Sequence, residues 1–347
     1  MHKLDDLKYI TSLDKSDMYS KIMSLPDQIH KAYFEPNVHY PDEKSNGGEV
    51  KPNSIIFCGM GGSAISADIA KVLYGKYIHV SVVKDYHLPY VDEHTLVIVL
   101  SYSGNTEETI SCLNQAITKT RHIIAITSGG KIRQMVDGKY LWLELVGGYP
   151  PRSAIGFLLC SLIKALEIYD IIPSEKDGAL SSIKWLNNAK ANFGVEIPTD
   201  KNDIKRYAGD IFNYIPIIYS DSPKYAPIAY RWKCQINENA KYPAFNSTLP
   251  EMLHNEVEGW EHSDLSSKFV PVCIMEGDNI SKGLKPFQEL LDEWELRSYE
   301  ANAFEGNVLA VMIGLIFYGD LLSYYLAILN EVDPTDIGYI DYIKQNS

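Results

Sequence analysis

Ser54 to Gly75 reads SIIFCGMGGSAISADIAKVLYG, an apolar run followed by a glycine-rich turn and a helical pattern. The apolar run, Ser54 to Cys58, predicts a buried strand, and the stretch from Ala64 predicts a helix. Glycines between a strand and a helix let backbone amides approach an anion, which the partial positive charge at the helix N-terminus also favours. The stretch therefore predicts a strand, a turn and a helix that together bind a phosphate group.

A dinucleotide is the alternative ligand for this turn. Gly59, Gly61 and Ala64 satisfy the GxGxxA form of the dinucleotide fingerprint. Asp85 follows Ala64 by 21 positions (85 − 64) at the end of a second predicted strand, HVSVV, where such a fingerprint expects an acidic residue. This spacing predicts an NAD-dependent oxidoreductase, and that interpretation stays open at this point.

Two more predicted strands end in turns rich in glycine and hydroxyl side chains. Thr95 to Leu100 (TLVIVL) runs into SYSGNTEE, and Ile123 to Thr127 runs into SGGK. Strands that alternate with helices predict a doubly wound parallel sheet, which binds ligands at the carboxyl ends of its strands. We therefore expect these turns to share one edge of the sheet. Asn105 and Glu108 are expected to form a capping pair for the helix that follows.

The hydroxyl groups at that edge suit a phosphomonoester better than a nucleotide. The chain has no GK[ST] sequence for a triphosphate and no evident magnesium carboxylate. The predicted pocket consists of backbone amides together with Ser63, Ser101, Ser103 and Thr106. The alternative is that these hydroxyls only cap helices, although capping explains one hydroxyl per turn and not three.

A second stretch, Arg231 to Trp260, is dense in acidic, basic and turn-forming residues. Glu238 falls near the end of a predicted helix that Pro243 terminates. His254 follows Glu238 by 16 positions (254 − 238), within reach if the intervening loop folds back. A carboxylate and an imidazole that meet there could share proton transfer. The alternative is a solvated glutamate and a histidine that caps a turn.

Arg152 lies in YPPRSAIGF, directly after two prolines and before a helix predicted from Ser153 to Tyr169. The prolines fix the backbone on which the guanidinium stands, so this arginine could stabilise an oxyanion. The alternative, a surface charge at a helix start, would be slightly unfavourable to the helix dipole.

Composition excludes several classes of partner. The net charge of −13 argues against a nucleic-acid partner or an acidic membrane surface, because either would require a basic face. Five scattered cysteines form no CxxC pair, and the opening residues, MHKLDDLKYI, lack the apolar core of a signal peptide. We expect a cytoplasmic protein. Without an HExxH or a PCxxC sequence, no metal site is expected.

The C-terminal part of the chain contains one long apolar segment, Val308 to Asn330, with a single charge at Asp320. It is long enough to span a bilayer, but the central aspartate and the lack of flanking Lys or Arg predict a buried helix instead. A last helix is predicted to start at Pro334 and to end at Lys344. A lysine there could merely complement the helix dipole.

Several of these motifs occur in one order that resembles a known family. They are CGMGGSAISADI, SYSGNTEET, AITSGGKI, YPPRSAIGF, NENAK and HNE. In this order they resemble the SIS-domain sugar isomerases, in particular the archaeal-type bifunctional phosphoglucose/phosphomannose isomerases, over nearly the whole chain from Ser54. The resemblance implies an α/β fold of two SIS-type doubly wound parallel-sheet (flavodoxin-like) domains. Residues 1–172 would form the domain with the phosphate-binding turns, and residues 179–347 the domain with the catalytic Glu, His and Lys.

The resemblance also implies a role for each candidate residue. Glu238 would be the base, Arg152 would face the reacting carbons, and His254 and Lys344 would serve ring opening. The substrate phosphate would be held by Gly61, Gly62, Ser63, Ser101, Ser103 and Thr106. The implied reaction interconverts fructose 6-phosphate with glucose 6-phosphate and mannose 6-phosphate through a cis-enediol, without metal or cofactor. Members are homodimers in which the His-bearing loop can cross to the neighbour. A phosphosugar-sensing SIS module without catalysis is the other alternative.

Overall fold

The computed structural model describes residues 3–42, 51–261, 264–275, 283–302 and 306–346 of the 347-residue chain. The chain divides into two compact units. Ser24–Ile183 forms the N-terminal unit, and Met1–Met23 together with Lys184–Ser347 forms the C-terminal unit. The first 23 residues therefore group with the second half of the chain, whereas they were predicted to belong to a domain of residues 1–172.

The strands and helices alternate along most of the described chain. The strands are β1 (Asn37–His39), β2 (Ser54–Cys58), β3 (His79–Val83), β4 (Thr95–Leu100), β5 (Ile123–Thr127), β6 (Leu141–Glu144), β7 (Ile215–Ser220), β8 (Phe245–Thr248), β9 (Phe269–Met275) and β10 (Tyr299–Asn302). The helices are α1 (Leu7–Leu13), α2 (Met18–Met23), α3 (Leu25–Phe34), α4 (Gly61–Tyr74), α5 (Glu107–Ile117), α6 (Gly130–Val136), α7 (Ile155–Ile168), α8 (Lys176–Phe193), α9 (Asp203–Ile211), α10 (Ala226–Ala240), α11 (Leu284–Glu293), α12 (Val308–Leu329) and α13 (Gly338–Asn346).

The N-terminal unit is built on a six-stranded sheet in the order β1-β6-β5-β4-β2-β3. All neighbouring strands are parallel except β1, which pairs antiparallel with β6 at the edge. The five parallel strands follow the flavodoxin-like order 2-1-3-4-5. Every residue of β4 and β5 is buried, as expected for central parallel strands that helices cover on both faces. The predicted doubly wound sheet is confirmed.

The C-terminal unit repeats this winding with four parallel strands in place of five. Its four strands are all parallel and follow the order β10-β9-β7-β8. The two central strands, β7 and β9, pair with each other and each carries one edge strand. The apolar runs from Ile215 to Tyr219 and from Val270 to Met275 predict two strands, and these correspond to β7 and β9.

The long apolar helix α12 lies in the core of the C-terminal unit, with 94% of its most apolar 18-residue window buried. Its single charge, Asp320, accepts hydrogen bonds from Arg231 Nη2 on α10 at 2.8 Å to each carboxylate oxygen. Gln235 Nε2 donates to the same carboxylate at 2.8 Å. A buried charge is tolerated when it is paired and hydrogen-bonded in this way. The prediction of a buried helix is confirmed.

Two predicted boundaries are wrong. The sequence PSEKDG, residues 173–178, predicts a linker before a helix from Ala179 to Phe193, whereas helix α8 begins at Lys176, inside that stretch. The last helix, α13, begins at Gly338 and not at Pro334. The Asp333 side chain accepts a hydrogen bond from Thr335 N at 2.8 Å, and the Asp336 side chain accepts one from Gly338 N at 3.2 Å. Such local side-chain turns compete with helix formation and delay its start.

Candidate active site

The glycine turn after β2 leads directly into α4. Gly61 has φ +51° and is the first helical residue, a conformation that favours glycine. The preceding residue, Met60, makes no side-chain capping hydrogen bond, and its carbonyl oxygen accepts from Ser63 N at 3.1 Å. No capping side chain therefore covers the first amides of α4. A Cβ on Gly62 would lie 3.1 Å from Pro151 O and 3.5 Å from Arg152 Cα. The turn therefore contacts the segment that carries Arg152.

The turn after β4 contains a pair of neighbouring hydroxyl groups, one buried and one half-buried. Ser101 is 1% exposed, and its Oγ lies 2.9 Å from Thr106 Oγ1 and accepts a hydrogen bond from Gly104 N at 3.1 Å. Thr106 occupies the N-cap position of α5, yet its side chain makes no capping hydrogen bond. Ser103 Oγ is exposed and accepts from Asn105 N at 3.3 Å. Helix capping therefore does not account for these hydroxyls.

The predicted capping pair of Asn105 and Glu108 is wrong. Helix α5 begins at Glu107, so Thr106 and not Asn105 holds the N-cap position. The Asn105 side chain instead accepts a hydrogen bond from Lys131 N at 3.0 Å, in the first turn of α6. The asparagine oxygen that was expected to cap α5 therefore binds the backbone amide of Lys131 instead.

The turns after β4 and β5 are in close contact. Gly104 has φ +70°, and a Cβ at this position would lie 1.8 Å from Gly129 O. Gly104 O accepts from Ile132 N at 2.9 Å, and Ser128 Oγ donates to Tyr102 O at 2.6 Å. The hydroxyl and glycine turns of neighbouring strands therefore form one continuous surface at the carboxyl edge of the sheet.

Arg152 lies in a 3-10 turn, Pro151–Ser153, and only 5% of it is exposed. Helix α7 follows from Ile155, two residues later than predicted. Gln28 on α3 holds this junction, because its side chain donates to Ser153 O at 2.9 Å and accepts from Gly156 N at 3.1 Å. The backbone that carries the guanidinium is thereby fixed.

Tyr102 holds the other end of the Arg152 segment. Its hydroxyl donates to Val146 O at 2.7 Å and accepts from Tyr149 N at 3.0 Å. Neither Tyr102 nor Gln28 was predicted to contribute to the site. No local pattern identifies them, because each acts through partners 44 to 128 positions away in the chain.

Glu238 lies in the last turn of α10 and is half-buried. The helix is fixed to α12 by Arg231, Gln235 and Asn239, whose amide donates to Ser323 Oγ at 2.9 Å. At its end Lys241 adopts a left-handed conformation with φ 52°. The predicted helix and its termination before Pro243 are confirmed, and the carboxylate stands on a rigidly held element.

His254 and Lys344 lie on two other elements of the C-terminal unit. His254 ends the 3-10 turn Glu251–His254, which follows a cis peptide bond at Leu249-Pro250, and it is exposed. Lys344 lies in α13, where no residue is buried. The structure therefore gathers the predicted phosphate turns with Arg152 in the N-terminal unit, whereas Glu238, His254 and Lys344 occupy separate elements of the C-terminal unit.

Comparison with known proteins identifies the family. The family of the bacterial phospho-glucose isomerase C-terminal SIS domain matches residues 200–346, and the SIS domain family matches residues 50–133. The bifunctional phosphoglucose/phosphomannose isomerase of Caldicellulosiruptor bescii is 33% identical over 341 residues, which cover 94% of this chain and 98% of that protein. This chain belongs to the bifunctional phosphoglucose/phosphomannose isomerase family. The resemblance seen in its motifs is confirmed.

A second member of the bifunctional phosphoglucose/phosphomannose isomerase family, from Aquifex aeolicus, is 36% identical and covers 84% of this chain and 89% of its own length. Among solved structures, a glucose-6-phosphate isomerase-like protein from Thermus thermophilus matches all of both chains with a TM-score of 0.65 and 18% identity. That match confirms the fold of two SIS-type domains. None of these matches supports the dinucleotide interpretation or the sensing module.

The described residues of this family member offer no group of three His, Cys, Asp or Glu side chains arranged to hold a metal ion. Two cavities, of about 270 Å³ in the N-terminal unit and about 420 Å³ in the C-terminal unit, are lined by other residues than those predicted for the site. The candidate site is thus defined by the turns and side chains described above and not by either of these two cavities.

Proposed function

We propose that this chain interconverts fructose 6-phosphate with glucose 6-phosphate and mannose 6-phosphate. The observation that carries the proposal is its identity of 33% to a bifunctional phosphoglucose/phosphomannose isomerase over 98% of that protein's length. The structure supports it with three glycine and hydroxyl turns at one sheet edge, where doubly wound sheets bind their ligands.

The phosphate group binds at the turns of the N-terminal unit. Backbone amides at the start of α4, a helix of 14 residues without a side-chain cap, face the negative charge that a helix N-terminus favours. The hydroxyl groups add further hydrogen bonds to the phosphate oxygens. The residues proposed for this role are Gly61, Gly62, Ser63, Ser101, Ser103 and Thr106.

Arg152 stabilises the negative charge that develops on the substrate oxygens during enediol formation. Such stabilisation requires a donor that is fixed before the reaction begins. The buried position of Arg152 and the hydrogen bonds of Gln28 and Tyr102 to its backbone segment supply that fixation. A planar guanidinium can donate to two oxygens at once, which a lysine cannot do in the same geometry.

Glu238 acts as the base in a metal-independent mechanism. Its carboxylate removes a proton from C1 of the ketose or from C2 of the aldose, which forms the cis-enediol, and returns the proton to the other carbon. The carboxylate lies in the last turn of α10, a helix that α12 holds through Arg231 and Gln235, so its position is fixed before the reaction begins. His254 and Lys344 assist ring opening of the cyclic substrate.

The protein is further proposed to be a cytoplasmic homodimer in which His254 serves the neighbouring subunit. Support comes from the exposure of His254 on its own subunit. All five cysteines are free thiols, as a reducing compartment requires.

The test is turnover of fructose 6-phosphate without any nucleotide, after prolonged treatment with a chelator. We expect aldose products at an unchanged rate. A requirement for a nicotinamide cofactor would indicate an oxidoreductase, binding without turnover would indicate a sensing module, and activity that only zinc or manganese restores would contradict the metal-independent mechanism.

A further inference from the structure

One carboxylate ties the turn that carries His254 to the sheet of the C-terminal unit. His254 ends the 3-10 turn Glu251–His254, and Glu256 begins the next one, Glu256–Trp260, after a single intervening residue. Glu256 Oε2 accepts a hydrogen bond from the Tyr219 hydroxyl at 3.2 Å, and Glu256 Oε1 accepts one from Ser247 Oγ. Both oxygens of the carboxylate are therefore engaged by the sheet.

The two donors stand side by side. Tyr219 on β7 and Ser247 on β8 are register partners in neighbouring parallel strands, whose spacing in a sheet is about 4.8 Å. A carboxylate suits two such donors, because it has two acceptor oxygens and, when ionised, no proton of its own to place. Glu256 therefore offers one oxygen to each strand of the pair.

A third side chain sets the direction of these hydrogen bonds. Trp260 Nε1 donates to the Tyr219 hydroxyl oxygen at 3.1 Å, and an indole N–H can only donate. The single proton of the Tyr219 hydroxyl is therefore directed at Glu256. Burial raises the pKa of Tyr219 well above its ordinary range, so the phenol keeps that proton at neutral pH.

The same turn is anchored on the other side of His254. Leu249 N donates to Ser220 O at 2.9 Å at the end of β7, and Leu249 and Met252 are 1% and 0% exposed. His254 is therefore an exposed side chain on a backbone that is fixed before it and after it.

We propose that Glu256 is a positioning residue for His254: by engaging Tyr219 and Ser247 it fixes the backbone from which the imidazole reaches the substrate. The inference rests on the proposed function, because His254 has a task only if the chain catalyses isomerisation. Fixing a group that acts on the substrate matters because a displacement of about 1 Å can lower a rate about a hundredfold.

The test compares Glu256→Ala with Glu258→Ala, each alone and combined with His254→Asn, in kcat/KM for fructose 6-phosphate. Glu258 is exposed in the same 3-10 turn, so its replacement removes the same charge and serves as the matched control. We expect Glu256→Ala to lower kcat/KM by about tenfold to a hundredfold, with the loss mainly in kcat, and Glu258→Ala to leave it unchanged. In the His254→Asn background Glu256→Ala should cause no further loss, because it acts through the histidine.

Tyr219→Phe provides a second route to the same answer if Glu256→Ala disturbs folding. It removes the hydroxyl that donates to Glu256 and accepts from Trp260 Nε1 but keeps the ring and the carboxylate, and its effect on kcat/KM should likewise disappear in the His254→Asn background. Equal losses in both backgrounds, no loss from Glu256→Ala, or an equal loss from Glu258→Ala would each overturn the positioning role. A wild-type protein inactive on fructose 6-phosphate would overturn the proposed function and this inference together. An active wild-type protein whose variants give one of the three results above would overturn this inference alone.

Discussion

At the scale of single residues, the hydroxyl pair of Ser101 and Thr106 separates a binding site from a set of helix caps. Thr106 holds the N-cap position without making a capping hydrogen bond, and its oxygen lies 2.9 Å from Ser101 Oγ. The side-chain oxygen of a threonine at an N-cap usually accepts a hydrogen bond from an amide of the first helical turn. The unusual use of this hydroxyl is the feature that the phosphate proposal explains.

We expect Ser101→Ala and Ser103→Ala to raise the KM for hexose 6-phosphates more than they lower kcat. The phosphate is remote from the reacting carbons, so its contacts contribute mostly uniform binding. Thr118→Ala is the matched control, because Thr118 is an exposed hydroxyl at the opposite end of α5. Steady-state kinetics of the three variants check the prediction, and an unchanged KM in both serine variants would contradict it.

Some residues of the site could be predicted from their neighbours in the sequence, and others could not. Glu238 stands out locally, since a helix pattern followed by Pro243 places it in the last turn. Gln28 acts on Ser153 and Gly156 across more than a hundred positions, and no period or motif marks such a contact. The predicted capping pair of Asn105 and Glu108 is wrong for the same reason. The amide that donates to the Asn105 side chain belongs to Lys131, 26 positions away in the chain.

At the scale of elements, the contact between the turns after β4 and β5 requires glycine at position 104. Gly104→Ala would place a Cβ 1.8 Å from a backbone oxygen in a region of φ that L-residues disfavour. We expect a loss of at least about 1–3 kcal/mol in the free energy of unfolding, the usual cost of such backbone strain, together with a raised KM. Urea unfolding measures the first and kinetics the second.

Gly147→Ala is the control for this prediction. Gly147 lies in the same unit, but a Cβ there would meet no atom within 4 Å, so its replacement should change the free energy of unfolding little. Equal stability of Gly104→Ala and Gly147→Ala would show that the two turns do not approach each other as described.

The pair of helices α10 and α12 gives a second prediction for elements. Asp320→Ala leaves the buried guanidinium of Arg231 without its carboxylate, and breaking a buried ion pair in this way costs about 3–5 kcal/mol. The double variant Arg231→Met with Asp320→Leu should recover most of that loss, because apolar groups of similar volume carry no desolvation penalty. Chemical unfolding of both proteins checks this, and a double variant as unstable as the single one would contradict it.

The elements that could be predicted are those whose pattern is local. Strands β2, β4, β5 and helix α12 are continuous apolar runs, and the structure buries them as expected. The start of α13 is set by Asp333 and Asp336 side chains that bind the backbone. These hydrogen bonds outweigh the preference of Pro334 for the first position of a helix, so α13 begins later than predicted.

At the scale of the whole molecule, chain order does not determine which residues pack together. The first 23 residues join the C-terminal unit. Buried Lys205 donates from its ammonium group to Leu4 O at 2.6 Å and to Asp5 Oδ1 at 3.2 Å. These contacts bridge about two hundred positions, so composition and periodicity carry no trace of them. The parallel pairing of the strands, in contrast, follows from the alternation of strands and helices.

The central claim is that one base, Glu238, serves both aldose products. Glucose 6-phosphate and mannose 6-phosphate differ only at C2, and both can form from one enediol if the proton can return to either face of that carbon. Glu238→Gln keeps the size and the hydrogen-bonding capacity of the side chain but cannot accept the proton. The rate should therefore fall by at least about a hundredfold, the usual contribution of a general base.

The most direct measurement follows fructose 6-phosphate to equilibrium with separate coupling enzymes for the two aldoses, in the wild-type protein and in Glu238→Gln. We predict that the wild-type protein forms both glucose 6-phosphate and mannose 6-phosphate, and that Glu238→Gln, folded as judged by its unfolding temperature, loses both together. Loss of only one product, or near wild-type turnover of Glu238→Gln, would contradict the shared base.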